Sequence, residues 1–128
     1  MAAQRLHRDD KDHHVDHMDQ TKTGYRVGSD VSLSFLIPGV ETTVENGATL
    51  MIPSSHLWDS ERVPKVGEAG NATMRISGCF RMVGGLYHAG GQNSMKDQKR
   101  PMHDLSFCRG YLRQEVCSSH IPKSSSNV

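Results

Sequence analysis

Gln4-Arg5-Leu6-His7-Arg8-Asp9 near the start of the chain and Leu86-Tyr87-His88-Ala89-Gly90-Gly91 far downstream are the stretches whose reading decides the fold. The first carries a His-x-Asp pair and the second a histidine set among glycines. Two imidazoles and one carboxylate are the ligand set of a mononuclear non-haem iron(II) site, in which one face of the octahedron stays open for substrate chemistry. The spacing has a mechanical reason. On a strand, positions 7 and 9 project to the same face, so both can address one metal ion. The third ligand must return from another strand, and a gap of about eighty residues lets a sheet fold back. Glycines on both sides of His88, at Gly84-Gly85 and Gly90-Gly91, allow another segment or a bound small molecule to approach the backbone closely. Arg100 follows, and an arginine beside an iron site can clamp a dicarboxylate through its planar fork of donors.

Working outward from these stretches, residues 1–9 are expected to form one short strand that delivers two ligands. Residues 10–30 are polar and carry His13, His14 and His17 among Asp10, Asp12, Asp16 and Asp19. We read them as a loop over the mouth of the site; a second metal cluster is the rival reading. Val31 to Ile37 alternates around Ser32 and Ser34, the period-two pattern of a half-buried strand, and Pro38-Gly39 breaks it. Thr42 to Val44 leads into an Asn46-Gly47 turn, and Leu50 to Ile52 is the next strand. Residues 56–70 read as a charged loop, 71–76 as a strand, Phe80 to Val83 as an apolar segment leading to His88, and Leu105 to Leu112 as the last strand. Residues 116–128 are expected to be a disordered tail. Short strands separated by turn signals suggest an all-β sandwich or barrel.

A chain of 128 residues is one domain at most, and with 35 % apolar residues it can bury only a modest core. A net charge of +1, with both signs mixed along the chain, gives no nucleic-acid stripe. No window approaches the length of apolar sequence that a transmembrane helix needs. No apolar leader is visible, and the odd set of Cys79, Cys108 and Cys117 lacks metal-type spacing, which leads us to expect reduced thiols and a cytoplasmic location.

The blocks Gln4 to Asp9, Asn46-Gly47-Ala48-Thr49-Leu50-Met51-Ile52-Pro53-Ser54-Ser55-His56, Leu86 to Gly91 and Gly110-Tyr111-Leu112-Arg113-Gln114-Glu115 occur in an order and spacing that resemble the phytanoyl-CoA dioxygenase family. The likeness is strongest to its fungal secondary-metabolism branch of iron(II)/2-oxoglutarate dioxygenases, which tailor meroterpenoids and alkaloids. The resemblance implies an incomplete double-stranded β-helix, a jelly-roll or cupin-like all-β fold with long loops, over residues 1–115. It implies iron ligation by His7, Asp9 and His88, and binding of the distal carboxylate of 2-oxoglutarate by Arg100. Gln4 and Thr43 match residues beside the co-substrate. It further implies Fe(II) as cofactor, 2-oxoglutarate and O2 as co-substrates, and an apolar polycyclic substrate that is hydroxylated, desaturated or rearranged.

Members of that family are usually longer, with substantial sequence ahead of the His-x-Asp block, so the chain reads as a shortened member. The resulting alternative is a non-catalytic paralogue or auxiliary subunit, a homodimer or a partner of a full-length homologue. A cupin-like metal-binding module without oxygen chemistry is a third reading.

Overall fold

In the computed structural model, residues 3–112 are described, so the expected tail at 116–128 and the end of the Gly110–Glu115 block lie outside them. Six strands form: β1 (Ser32–Pro38), β2 (Thr49–Met51), β3 (Gly70–Ala72), β4 (Phe80–Val83), β5 (His88–Ala89) and β6 (Met102–Cys108). They make two antiparallel three-stranded sheets, ordered β4-β1-β6 and β3-β2-β5. The extended N-terminal segment continues the second sheet beyond β5. Gln4 N donates to Gly90 O (3.0 Å), and His7 and His88 exchange backbone hydrogen bonds of 2.9 and 3.0 Å. The architecture is all-β with long loops, an incomplete jelly roll in which two sheets face each other; a whole jelly roll has about eight strands.

Local chemistry explains the breaks. Pro38 has no N–H to continue the ladder, so β1 stops there. Gly39 N turns to bond Pro101 O at 3.0 Å and ties the strand end to the start of β6. Before β2, the Asn46 side chain accepts from Thr43 N (2.8 Å) and donates to Glu41 O (2.8 Å), holding the turn from inside. Gly47 completes it with φ +89°, a left-handed conformation that costs a side-chain-bearing residue energy.

The core lies between the sheets: Leu36, Met82 and Leu86 are buried, with Met51, Phe80, Val83 and Met102 packed around them. Each fully buried apolar side chain contributes roughly 1.5–3 kcal/mol. On β1 it is Ser34, Leu36 and Pro38 that are buried. The alternating Leu33, Phe35 and Ile37 turn to the other face, where the register sets them beside Phe107, Leu105 and His103 of β6. Leu105 is half exposed there and Phe107 slightly more, at 50 % and 56 %.

Several expectations are corrected. Of the strand expected at 1–9, the described residues 3–9 do not form one. The chain makes a single bridge at His7, and Asp9 begins a short 3-10 helix, Asp9–His13. Residues 10–30 do not cover the mouth of the site. They pack behind it, with Ser60 N bonded to His17 O (3.1 Å) and Gln20 N to Leu57 O (2.8 Å). The strand read at 71–76 is shorter, Gly70–Ala72, followed by a lone Thr42–Met74 bridge. The last strand begins and ends earlier than Leu105–Leu112, because its pairing follows β1 from Pro38 back to Ser32. Residues 56–70 hold parts of two short 3-10 helices, Ser55–Leu57 and Val66–Glu68. No helix among the described residues is long and apolar enough to cross a membrane.

Candidate metal centre

His7, Asp9 and His88 converge: their ligand atoms all lie within 4.8 Å of one another. Among the described residues this is the one such group of His, Cys, Asp or Glu. The Nε2 atoms of His7 and His88 are 3.7 and 3.5 Å from the same Asp9 oxygen. Ligands at neighbouring positions about 2.1 Å from a metal ion sit about 3 Å apart, so side-chain shifts of under an ångström would bring these atoms into coordination.

The backbone delivers the three groups for identifiable reasons. His7 and His88 face each other across the antiparallel bridge, with ring centroids 4.5 Å apart. Asp9, two residues on, returns to the same side at the start of the 3-10 helix, where its backbone N–H is held by Gly84 O (3.0 Å). The intervening Arg8 is extended (φ −116°, ψ 136°), which preserves the two-residue alternation.

Each imidazole is also oriented from behind. His7 Nδ1 lies 2.9 Å from Arg5 O, and His88 Nδ1 lies 3.0 Å from Leu86 O. A carbonyl accepts only, so in each ring Nδ1 carries the proton and the Nε2 lone pair is left to face Asp9 and the pocket. This is the arrangement that fixes tautomer and ring direction in metal-ligating histidines. The side chain of His88 is 9 % exposed, whereas His7 and Asp9 are 43 % and 32 % exposed, so the centre opens on their side.

A cavity of about 340 Å³ adjoins the centre and lies between the sheets. Gln4, Thr49, Gly90 and Gly91 line it on the His88 side. Leu36, Met82, Met102 and Asp104 line it from the opposing sheet, and Arg100 stands just ahead of β6. Arg100 is the telling residue. Its Nη1 is buried and has no hydrogen-bond partner among the described residues. Burial holds its pKa below the ordinary guanidinium value. A buried cationic donor without a partner is costly, and an anionic group in the cavity would relieve that cost. Gln4 also reaches the cavity. Its Oε1 accepts Gly90 N–H at 2.8 Å, which leaves the amide NH2 for a ligand.

Thr43 does not join them. It sits in the Asn46 turn, where its hydroxyl accepts from Asn46 N (3.3 Å), and it borders a different surface cavity. On the cavity wall the threonine is Thr49. Sequence reasoning missed Thr49 and the opposing wall of Leu36, Met82, Met102 and Asp104. One signal was available: counting by two from Arg100 along a strand reaches Met102 and Asp104. Of the histidine cluster, His17 Nε2 lies 3.1 Å from the fully buried Asp10 carboxylate. That contact folds the 10–30 segment back on itself directly beside Asp9.

The donor set, the tautomers and the unpartnered Arg100 fit a divalent metal with an anionic co-ligand. Comparisons with known proteins place the chain in a family. The family model described as Phytanoyl-CoA dioxygenase (PhyH) matches residues 1–102, which include all three converging ligands and Arg100. The chain is 45 % identical over 112 residues to the dioxygenase swnH1 of Metarhizium robertsii, covering 88 % of this chain and 36 % of that protein. It is 35 % identical over 113 residues to the dioxygenase peniF of Penicillium patulum, covering 88 % and 37 %. The crystal structure of EvdMO1 superposes with a TM-score of 0.61 at 20 % identity, covering 85 % of this chain and 24 % of that one, a likeness of fold. The chain thus spans about a third of the length of the curated relatives it matches. By its sequence match and its jelly-roll architecture, this chain belongs to the phytanoyl-CoA dioxygenase family.

Proposed function

We propose that the chain carries the metal and co-substrate site of an iron(II)/2-oxoglutarate-dependent dioxygenase acting on an apolar polycyclic secondary metabolite such as a meroterpenoid. The observation that carries this reading is the convergence of His7, Asp9 and His88 beside a cavity that Arg100 also lines, with the Arg100 Nη1 buried and without a hydrogen-bond partner among the described residues. His7 and His88 would hold iron(II) through Nε2, and Asp9 would supply the carboxylate that offsets part of its charge. Arg100 would bind the distal carboxylate of 2-oxoglutarate by charge-assisted hydrogen bonds. The Gln4 amide would donate to a co-substrate oxygen. Leu36, Met82 and Met102 form an apolar wall that excludes water and suits a hydrocarbon surface. Iron(II) held by these residues would supply O2-dependent oxidation of a substrate C–H bond, coupled to conversion of 2-oxoglutarate to succinate and CO2. The outcome is hydroxylation, desaturation or rearrangement.

The test is succinate formation from 2-oxoglutarate by purified protein with iron(II) and O2. Turnover above a His88→Ala control supports the reading; equal traces from both remove it.

A second reading has its own observation. Leu105 and Phe107 leave an exposed apolar face on the β4-β1-β6 sheet, and such a face suits pairing. The partner would be a second copy or a longer homologue, with this chain as an auxiliary subunit. Co-purification with a longer dioxygenase supports it, and a stable iron-loaded monomer counts against it.

A further inference from the structure

We infer that Arg8 and Tyr87, which face away from the cavity, are positioning residues that hold the His7–Asp9 segment and His88 in register for metal binding. The inference rests on the metal reading above. Because His7 pairs with His88, residue 8 falls opposite residue 87 on the reverse face of the same two chain segments. Arg8 is 5 % exposed although it is charged. Its guanidinium lies 4.2 Å from the centroid of the Tyr87 ring. Its Nη2 donates to Ser55 O (2.8 Å) and Trp58 O (3.0 Å), and its Nη1 donates to Asp59 O (3.2 Å). Tyr87 is tied to the same turn, since its backbone N–H donates to Ser55 Oγ at 2.8 Å.

The two ligand-bearing segments are therefore fastened to each other and to one rigid turn, from the side opposite the metal. Arg8 separates His7 from Asp9, and Tyr87 directly precedes His88. Twisting either segment so that the ligands splay would strip a buried guanidinium of its partners, a change with a large cost. Lysine cannot substitute. Its ammonium is a compact point charge that cannot stack on the ring while also forking to carbonyls on three residues. The cavity chemistry does not use either residue, so what they determine is the geometry of the ligand set.

The experiment compares the full chain with Arg8→Lys, Tyr87→Phe and Tyr87→Leu. Two properties are read under anaerobic conditions: the Kd for Co(II) together with its visible absorption spectrum, and the urea unfolding midpoint of the metal-free protein. Arg8→Lys and Tyr87→Leu are expected to raise the Kd about tenfold or more and to change the spectrum at saturation. Tyr87→Phe keeps the ring and is expected to match the parent. Should Arg8→Lys fail to fold, the Tyr87 pair decides. If Arg8→Lys and Tyr87→Leu lower only the unfolding midpoint and bind Co(II) with parental Kd and spectrum, the two residues merely stabilise the fold and the inference is overturned. If the parent binds Co(II) no better than His88→Ala, the metal reading itself has failed and the positioning role falls with it.

Discussion

His7 and His88, distant along the chain, exchange backbone hydrogen bonds of 2.9 and 3.0 Å and set their imidazoles 4.5 Å apart. One bridge thus joins the N-terminal segment to the second sheet and also brings together two of the three residues of the candidate metal centre. Replacing His88 separates these roles, because the bridge is main chain and the ligand is side chain. His88→Ala should keep the fold and weaken Co(II) binding by more than about 100-fold, beyond the 10- to 100-fold typical of an outer partner. Titration followed by visible absorption checks the affinity, and circular dichroism checks the fold. Unchanged affinity would remove His88 from the ligand set.

Arg100 presents a buried donor with no protein partner among the described residues. Arg100→Ala should therefore leave the unfolding midpoint of the free protein unchanged or slightly higher, since an unsatisfied group is removed. Affinity of the Co(II)-loaded protein for 2-oxoglutarate should fall roughly 10- to 100-fold, the equivalent of a charge-assisted hydrogen bond. Calorimetric titration of both proteins reads this directly. A large loss of stability with unchanged 2-oxoglutarate affinity would make Arg100 a structural residue.

Gly91 packs against the Gly47–Ala48 backbone so closely that a β-carbon would strike the Ala48 carbonyl oxygen. Gly91→Ala should cost about 1–3 kcal/mol, as overpacking does when the obstructing atoms are backbone. Gly70, in β3, has nothing within 4 Å of its hypothetical β-carbon and no positive φ. Gly70→Ala should be neutral or stabilising by about 0.4–1 kcal/mol. Urea unfolding of the pair tests the contrast, and equal effects would contradict the packing described.

Glu68 accepts the Lys65 backbone N–H at 3.2 Å and pairs with Arg62 at 3.0 Å, and these interactions, the first foremost, hold its carboxyl below the ordinary 4.5. A depressed folded-state pKa contributes stability that is present above the unfolded value and is lost as pH falls through the folded one. The parent should therefore exceed Glu68→Gln in urea midpoint at neutral pH, and the difference should vanish in acid, below the lowered Glu68 value. A difference that persists in acid would show that the carboxylate charge is not responsible. The group is exposed, so the effect is small.

Phe107 is 56 % exposed on β6, an edge strand of its sheet among the described residues. Long apolar edges template association, and a lysine there blunts them. Phe107→Lys should reduce self-association in light scattering with little change in the unfolding midpoint. More aggregation in the variant would mean that Phe107 supports the fold from outside.

Much of the site could be read from local pattern. His7 and Asp9 are two residues apart in extended chain, and that alternation is a property of the backbone itself, so their shared face needed no knowledge of the rest. The glycines around His88 announced close backbone approach, which Gly91 makes against Ala48. The strands at Val31–Ile37 and Leu50–Ile52 were visible from apolar residues bounded by turn chemistry, whereas Phe80–Val83 stood out only as an apolar segment. Thr43 lies outside the cavity, because a threonine beside a turn satisfies its neighbours locally, and sequence does not say which of several threonines faces a distant sheet.

Local sequence pattern carried the candidate ligand types, their alternation and the strands at Val31–Ile37 and Leu50–Ile52, because these depend on interactions between residues close along the chain. Only the tertiary structure decided which face of β1 is inside. Its regular alternation of Leu33, Phe35 and Ile37 turns outward, and the interior takes Ser34 and Leu36, with Ser34 Oγ 2.9 Å from Ser106 Oγ. It also decided that Arg8 and Tyr87 stack behind the ligands and that Asp104 and Thr49 share a cavity with Arg100. Those are pairings between segments far apart in sequence. The physical reason is that a strand's period of two fixes that its sides differ, whereas the partner strand and its register fix which side is buried.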